Sequence, residues 1–547
     1  MVGTGAVTSQ ASRRYALTAL AAVLLILLTA GCDSGEPPPG TPTPTESSPV
    51  RGKDLIAGRA TFYGSQGDDA AAAIMAGDFN GDGAQDVVLG AALADGPDDA
   101  RPDGGEAYLF LGPFRPGDQR DAGEGQQEMT VYGATADDQL ARAMAAGDAN
   151  GDGIDDLILG APFGDGPAED RTDAGEVYVL LGSPALGRDS HEIDLSMETA
   201  GATIYGAGKE DLAGFALAVA DVSGDGTGDV IVGAFWADGP DDSRSRGGEV
   251  YAFFGSKSLG GALDLRRVRP DVIVYGANGD DRLGEAVSVG DVNGDGIQDL
   301  VLPAPFAAGL QNQAEVAGQT YAILGPPPAE IDIARGEQDL TVYGTDTGDQ
   351  LGHSLGSGDV DGDGFGDILL AAVSSDGLAN EAPLAGEAAL ALGRDLETDA
   401  QGAVVDTAAG DAASVIYAGS AGDRLGRSAA VGDVSGDGLA DMLIAAPGGD
   451  GIKERRTNAG EVYVVFGAPS PARVIELGLG EADVVIEGLD ADDTLGSEAF
   501  GKPVLLVMDM DGDGRGDLLV GAPQGDGPDN GRANAGEAYI LFTKDPR

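Results

Sequence analysis

The sequence predicts an all-β, seven-bladed propeller, and three observations carry that prediction. A nine-residue acidic loop recurs seven times; its first aspartates, at 78, 148, 221, 291, 359, 433 and 509, stand 68 to 76 residues apart; and each interval holds four short strand-like runs bounded by Gly, Pro and Asp. A long fixed period marks a repeat architecture, and four short strands per period mark a propeller blade. Because each unit in a closed ring buries its core against its neighbours, a chain of 547 residues need not divide into several domains.

The second repeat shows the elements in order. Residues 130–133 (TVYG) form a β-rich run, a polar loop leads to the small-residue run AMAAG, the acidic hairpin follows, and LILGAP is the next strand. A long loop then precedes EVYVLLG, residues 176–182. The run before each acidic loop is rich in Ala, Ser and Gly (AAAIMAG, ARAMAAG, FALAVA, EAVSVG), which suits the crowded innermost position around a central axis. The chain opens on an outer-type strand and ends on a third strand, leaving each end one partner short. Ring closure is therefore expected to pair residues 59–63 with 538–542.

The acidic loops have the oxygen spacing of a calcium site. Side chains at loop positions 1, 3, 5 and 9 can converge on one cation, a backbone carbonyl at position 7 adds a fifth oxygen, and Gly at position 6 permits the sharp turn. The sets are Asp78, Asn80, Asp82, Ala84 and Asp86; Asp148, Asn150, Asp152, Ile154 and Asp156; and Asp221, Ser223, Asp225, Thr227 and Asp229. They continue with Asp291, Asn293, Asp295, Ile297 and Asp299, then Asp359, Asp361, Asp363, Phe365 and Asp367. The last two are Asp433, Ser435, Asp437, Leu439 and Asp441, and Asp509, Asp511, Asp513, Arg515 and Asp517. An EF-hand would need Glu at position 12 and flanking helices; here position 12 is always Leu, Val or Ile inside an apolar run, so the loops join strands. About seven Ca2+ ions, one per blade, are expected.

The formal charge of -60, from 92 acidic and 32 basic residues, excludes nucleic acid as a partner, because phosphate binding needs clustered Lys and Arg. The same charge makes copies self-repelling, and a monomer is expected. The only cysteine, Cys32, precedes the repeats, so disulfides contribute nothing to the fold and calcium is the plausible staple of an exported chain. Arg13 and Arg14 precede an apolar run at 16–30, too short to read as a spanning helix, and Leu28-Thr29-Ala30-Gly31-Cys32 follows. That ending resembles the bacterial lipoprotein signal, in which the cysteine becomes the acylated first residue. The expected organisation is a signal peptide at 1–31, a lipidated Cys32 with a Pro/Thr/Ser-rich tether at 32–57, and a propeller at 58–547. The expected location is the cell envelope, periplasmic or surface-exposed and lipid-anchored to a membrane.

The repeats resemble the FG-GAP repeats of the integrin α-subunit head. Tyr-Gly stands in the FG place at 63–64, 132–133, 205–206, 275–276 and 343–344, and GAP is literal at 160–162 and 521–523. Departures at Tyr417-Ala418 and Glu487-Gly488, and at Ala91-Ala92, Phe235, Pro303, Val373 and Ala445, touch packing and leave the loop ligands intact. The resemblance implies a seven-bladed propeller with calcium loops on its lower face and ligands approaching its upper face.

No catalytic constellation is recognisable. His191 and His353, the only histidines, lie near no nucleophile motif, and paired catalytic acids cannot be singled out among so many carboxylates. The long upper loops are more informative. Aligned on Asp-Gly-Pro and its equivalents, one position runs Leu93, Phe163, Trp236, Phe306, Ser374, Gly448 and Gln524, apolar in blades 1 to 4 and polar after. Phe163, Trp236 and Phe306 are thus expected to form a ligand site for an extracellular or envelope protein or a glycan. The leading expectation is a calcium-stabilised, lipid-anchored binding or adhesion module that is not an enzyme; the alternative is an exported polysaccharide-acting hydrolase or lyase.

Overall fold

The computed structural model describes residues 55–65, 71, 73–186, 191–312, 314–396, 403–451, 455–497 and 504–545. Cys32, the signal region and the tether as far as residue 54 lie outside them. Among the described residues no helix is long and apolar enough to cross a membrane.

The chain is an all-β, seven-bladed propeller of seven sheets. In blade 2 the innermost strand Ala143–Gly147 pairs with Asp156–Ala161, then Glu176–Leu180, then the outer strand Ala202–Tyr205, all antiparallel. The outer strand of each sheet therefore comes from the start of the next sequence repeat. Blade 7 closes the ring as expected, with Ile56–Tyr63 lying antiparallel to Glu537–Thr543 in the register Arg59↔Leu541 to Phe62↔Ala538. This strand begins two residues ahead of the expected boundary at 58, and the preceding Leu55 is already buried in the core. Six sheets also carry a fifth, parallel strand of three or four residues, such as Glu330–Asp332 beside Val272–Tyr275.

The core lies between neighbouring sheets. Ile540 and Phe542 of blade 7 pack with Ile74, Leu89 and Phe110 of blade 1, and Phe62 meets Phe110 edge-on at 5.3 Å. Small residues on the innermost strands are needed because these strands approach closely: a Cβ on Gly147 would lie 2.7 Å from Val219 Cγ1 of the next blade.

The Tyr-Gly motif has an equally direct cause. A Cβ on Gly133 would sit 1.9 Å from the Gly104 carbonyl, and one on Gly206 would sit 1.9 Å from that of Ala174, so the upper loop lies closest against the outer strand where that strand is followed by Gly. Ala418 is the exception: its amide reaches the Gly386 carbonyl at 3.3 Å, where Gly133 reaches Gly105 at 2.9 Å. The upper loops are further pinned by arginines. Arg171 binds Asp264 at 2.9 Å, Arg244 binds Asp332 at 2.7 Å and Arg532 binds Asp121 at 2.7 Å, each carboxylate standing on a fifth strand.

Candidate metal centres and upper face

Each acidic loop joins an innermost strand to the second strand of its blade, at the end opposite the long loops. In the first loop Asp78 accepts the amides of Asp82 (3.0 Å) and Gly83 (2.8 Å), and Asp82 accepts that of Ala84 at 2.9 Å. The same pattern recurs at Asp221, Asp225 and Thr227 and at Asp291, Asp295 and Ile297. Position 6 is at φ between 86° and 92° in all seven loops. Nothing lies within 4 Å of a Cβ built on Gly83, so backbone conformation and not space dictates glycine there.

Position 9 is the buried anchor. Asp86, Asp156, Asp229, Asp299, Asp367 and Asp441 are 0% exposed. Asp86 accepts the Phe79 amide at 3.1 Å and the Gly112 amide at 2.9 Å, tying the loop to the exit of the third strand. Burial first, and the neighbouring carboxylates second, push Asp86 and Asp367 up to about 7 and Asp156, Asp299, Asp441 and Asp517 up to about 6. Position 3 points at the carboxylates of positions 1 and 9: the Ser223 hydroxyl donates to Asp221 at 3.3 Å and the Asn150 amide donates to Asp156 at 3.2 Å.

Where position 3 is aspartate, three carboxylates converge, Asp359 with Asp361 and Asp367, and Asp509 with Asp511 and Asp517, one oxygen of each within 4.8 Å of the others. Hard oxygen donors crowded this closely repel one another without a cation, so the residues fit calcium. A bound ion would be held by the side chains at positions 1, 3, 5 and 9 and would supply charge neutralisation that locks the hairpin.

On the upper face the structure brings together two of the three expected aromatic residues. Phe163 and Trp236 are half-buried and pack against Leu212, Phe215 and Phe235, with ring centroids 4.2 Å apart for Phe215 and Phe235 and 5.6 Å for Phe235 and Trp236. Phe306 is not in that cluster; the guanidinium of Arg282 lies 3.8 Å over its ring. The buried Arg142 stands 5.3 Å from the Phe163 ring and 5.4 Å from the Phe215 ring. The indole N–H of Trp236 is buried with no acceptor.

Beside this cluster lies Asp211, which accepts the Gly208 amide at 2.7 Å and is pushed up to about 6 by burial and by Asp238 and Asp242. Its counterparts Asp138, Asp281, Asp349, Asp423 and Asp493 are all under 9% exposed, whereas Asp211 is only half-buried. Asp211, Arg142 and Phe215 are not among the residues the sequence pattern singles out. Aligning the residues just before each innermost strand would have singled out Arg142 and Phe215.

Residues 140–180, 283–322, 425–465 and 504–541 match the family model of the FG-GAP repeat. Four of the seven blades thus carry a recognisable FG-GAP repeat. It is similar to phosphatidylinositol-glycan-specific phospholipase D of Bos taurus, 34% identical over 184 residues, covering 34% of this chain and 21% of that protein. It is also similar to integrin alpha-PS2 of Drosophila melanogaster, 30% identical over 248 residues, covering 44% of this chain and 16% of the integrin. The matched regions thus span less than a quarter of either relative. Among solved structures, the exotype rhamnogalacturonan lyase YesX aligns with a TM-score of 0.43 at 12% identity, over 88% of this chain and 72% of the lyase.

These relatives correct one expectation. The lack of a recognisable catalytic constellation led to the expectation that the chain is not an enzyme, but the phospholipase D relatives are enzymes by name, and that expectation does not stand.

Proposed function

We propose that the chain is an exported hydrolase or lyase acting on glycan-bearing substrates, built on a calcium-stabilised propeller and tethered to a membrane through lipid at Cys32. The observation that carries the reading is Asp211, a half-buried carboxyl pushed up to about 6 beside the Phe215–Phe235–Trp236 cluster. Aromatic faces stack on sugar rings, and a carboxyl that changes protonation near neutral pH is suited to general acid or base work. The similarity to phosphatidylinositol-glycan-specific phospholipase D supports a substrate that carries sugar. Calcium in the seven loops holds each hairpin at the lower end of its blade, which keeps the upper loops in register. The export and anchoring parts rest on the lipoprotein-like N-terminus.

The test is to incubate the purified protein with calcium, acidic and neutral polysaccharides and a phosphatidylinositol-glycan, following new reducing ends, unsaturated sugars and released lipid. Turnover that falls about 100-fold or more in Asp211→Asn supports the proposal. Absence of any product, or full activity in Asp211→Asn, refutes the role given to this carboxyl. A second reading, adhesion to an extracellular or envelope partner through the upper face, is favoured by the integrin similarity over 44% of the chain. Binding to envelope proteins or arrayed glycans that survives Asp211→Asn supports it.

A further inference from the structure

Two loops differ from the other five at position 3, which is Asp361 in blade 5 and Asp511 in blade 7 but Asn80, Asn150, Ser223, Asn293 or Ser435 elsewhere. The same two blades differ at a second place. The residue after the third-strand amide that binds the position-9 aspartate is Pro113, Ser183, Ser256, Pro326 or Ala468 in five blades, but Arg394 in blade 5 and Lys544 in blade 7. The equivalence is fixed by geometry: Gly393 donates to Asp367 at 3.0 Å and Thr543 to Asp517 at 2.7 Å, as Gly182 does to Asp156 at 2.9 Å. An extra carboxylate and an extra cation thus occur together in the same two blades.

In blade 5 the contact is formed. Arg394 Nη1 binds Asp361 Oδ2 and also reaches Asp363 Oδ2 at 3.1 Å, so one guanidinium spans loop positions 3 and 5. Asp361 is 4% exposed, and its second oxygen, Oδ1, is buried without a hydrogen-bond partner beside Asp359 and Asp367. Leaving a buried carboxylate oxygen unsatisfied is costly, and a cation in the cluster would satisfy it. Arg394 itself is 44% exposed in its side chain, so it can leave the loop for solvent without unpacking a core.

We infer that Arg394 is a built-in counter-cation that occupies carboxylates of the fifth loop when calcium is absent and is displaced when calcium binds. It makes this loop a low-affinity, calcium-responsive site among tighter structural ones. The inference rests on the reading of the loops as calcium sites. The paired Asp511 and Lys544 extend it to blade 7 by sequence pattern. The ion gains the oxygens of Asp361 and Asp363 only by breaking their bonds to Arg394, so part of its binding free energy is consumed in the exchange. Calcium binding would also release a mobile arginine onto the lower face.

The test is calorimetric titration of the chelator-stripped full chain with calcium alone, comparing wild type, Arg394→Ala and Arg394→Lys. Wild type should show a weak class of sites, and Arg394→Ala should tighten one of them about tenfold, with Arg394→Lys between the two. Unchanged or weakened binding in a folded Arg394→Ala protein overturns the inference about Arg394. Wild-type protein that binds no calcium at all overturns the reading of the loops. A second measurement needs no variant: arginine-directed labelling read by peptide mass spectrometry should rise at Arg394 as calcium is added, and equal labelling with and without calcium overturns the displacement.

Discussion

Replacing Glu249 by Gln should make the propeller more stable at pH 8 and nearly unchanged at pH 5. Glu249 opens the third strand of blade 3, is 8% exposed, and accepts the Tyr251 hydroxyl at 2.7 Å. Burial, with the charges of Asp211 and Asp242 adding to it, pushes its carboxyl from the ordinary 4.5 up to about 7. A raised folded-state value means that the fold binds the proton more tightly than the unfolded chain does. The stabilisation is therefore fully present below about 4.5 and is lost as pH rises through about 7. A difference of this size corresponds to roughly 3 kcal/mol at most, and relaxation and water penetration reduce it to about 1–2 kcal/mol. Blade 4 shows that a neutral residue keeps the geometry, since Tyr321 donates to Gln319 at the equivalent place, also at 2.7 Å. Thermal melts of calcium-saturated wild type and Glu249→Gln across pH 5 to 8 read the effect. The reasoning is refuted if the variant is less stable at pH 8, or if its slope with pH matches that of the wild type.

Other perturbations read other parts of the molecule. Removing calcium with a chelator should lower the melting temperature and raise protease sensitivity, because the carboxylates of the loops that lack a counter-cation such as Arg394 then face one another uncompensated; identical melts with and without calcium would remove the structural role of the loops. Trp236→Ala should weaken glycan or partner binding by about 2 kcal/mol or more, and a binding assay showing no loss would move the site elsewhere. Because Trp236 also packs on Phe235 at 5.6 Å, the same variant should melt somewhat earlier than wild type. Cys32→Ala should free the protein from membranes or strand it as a precursor, and mass spectrometry finding an unacylated mature N-terminus elsewhere would contradict the anchor.

Much of this architecture could be read directly from the residues. The acidic loops recur with their spacing intact, so strands, hairpins and blade number follow from one pattern, and an unpaired strand at each end of the repeats predicts ring closure between residues 59–63 and 538–542, where the structure pairs Phe62 with Ala538. The fifth, parallel strands escaped because three residues such as Glu330–Asp332 are too few to show an alternation. Which upper-face aromatic residues meet could not be read from the sequence, for a physical reason. One alignment column placed Phe163, Trp236 and Phe306 alike, but a side chain's neighbours come from other columns, and Phe215 and Phe235 draw Trp236 into a cluster while Arg282 covers Phe306. The contact between Arg394 and Asp361 joins residues 33 apart and was invisible until the third-strand exit and the loop were seen side by side.

Calcium content tests the account most directly. The full chain, stripped with chelator, re-equilibrated with calcium and freed of excess ion, should retain an ion in most of its seven loops by atomic emission, with release of the ions accompanied by loss of the folded signal. A folded propeller that retains no calcium, and melts no earlier for lacking it, would contradict the account at its centre.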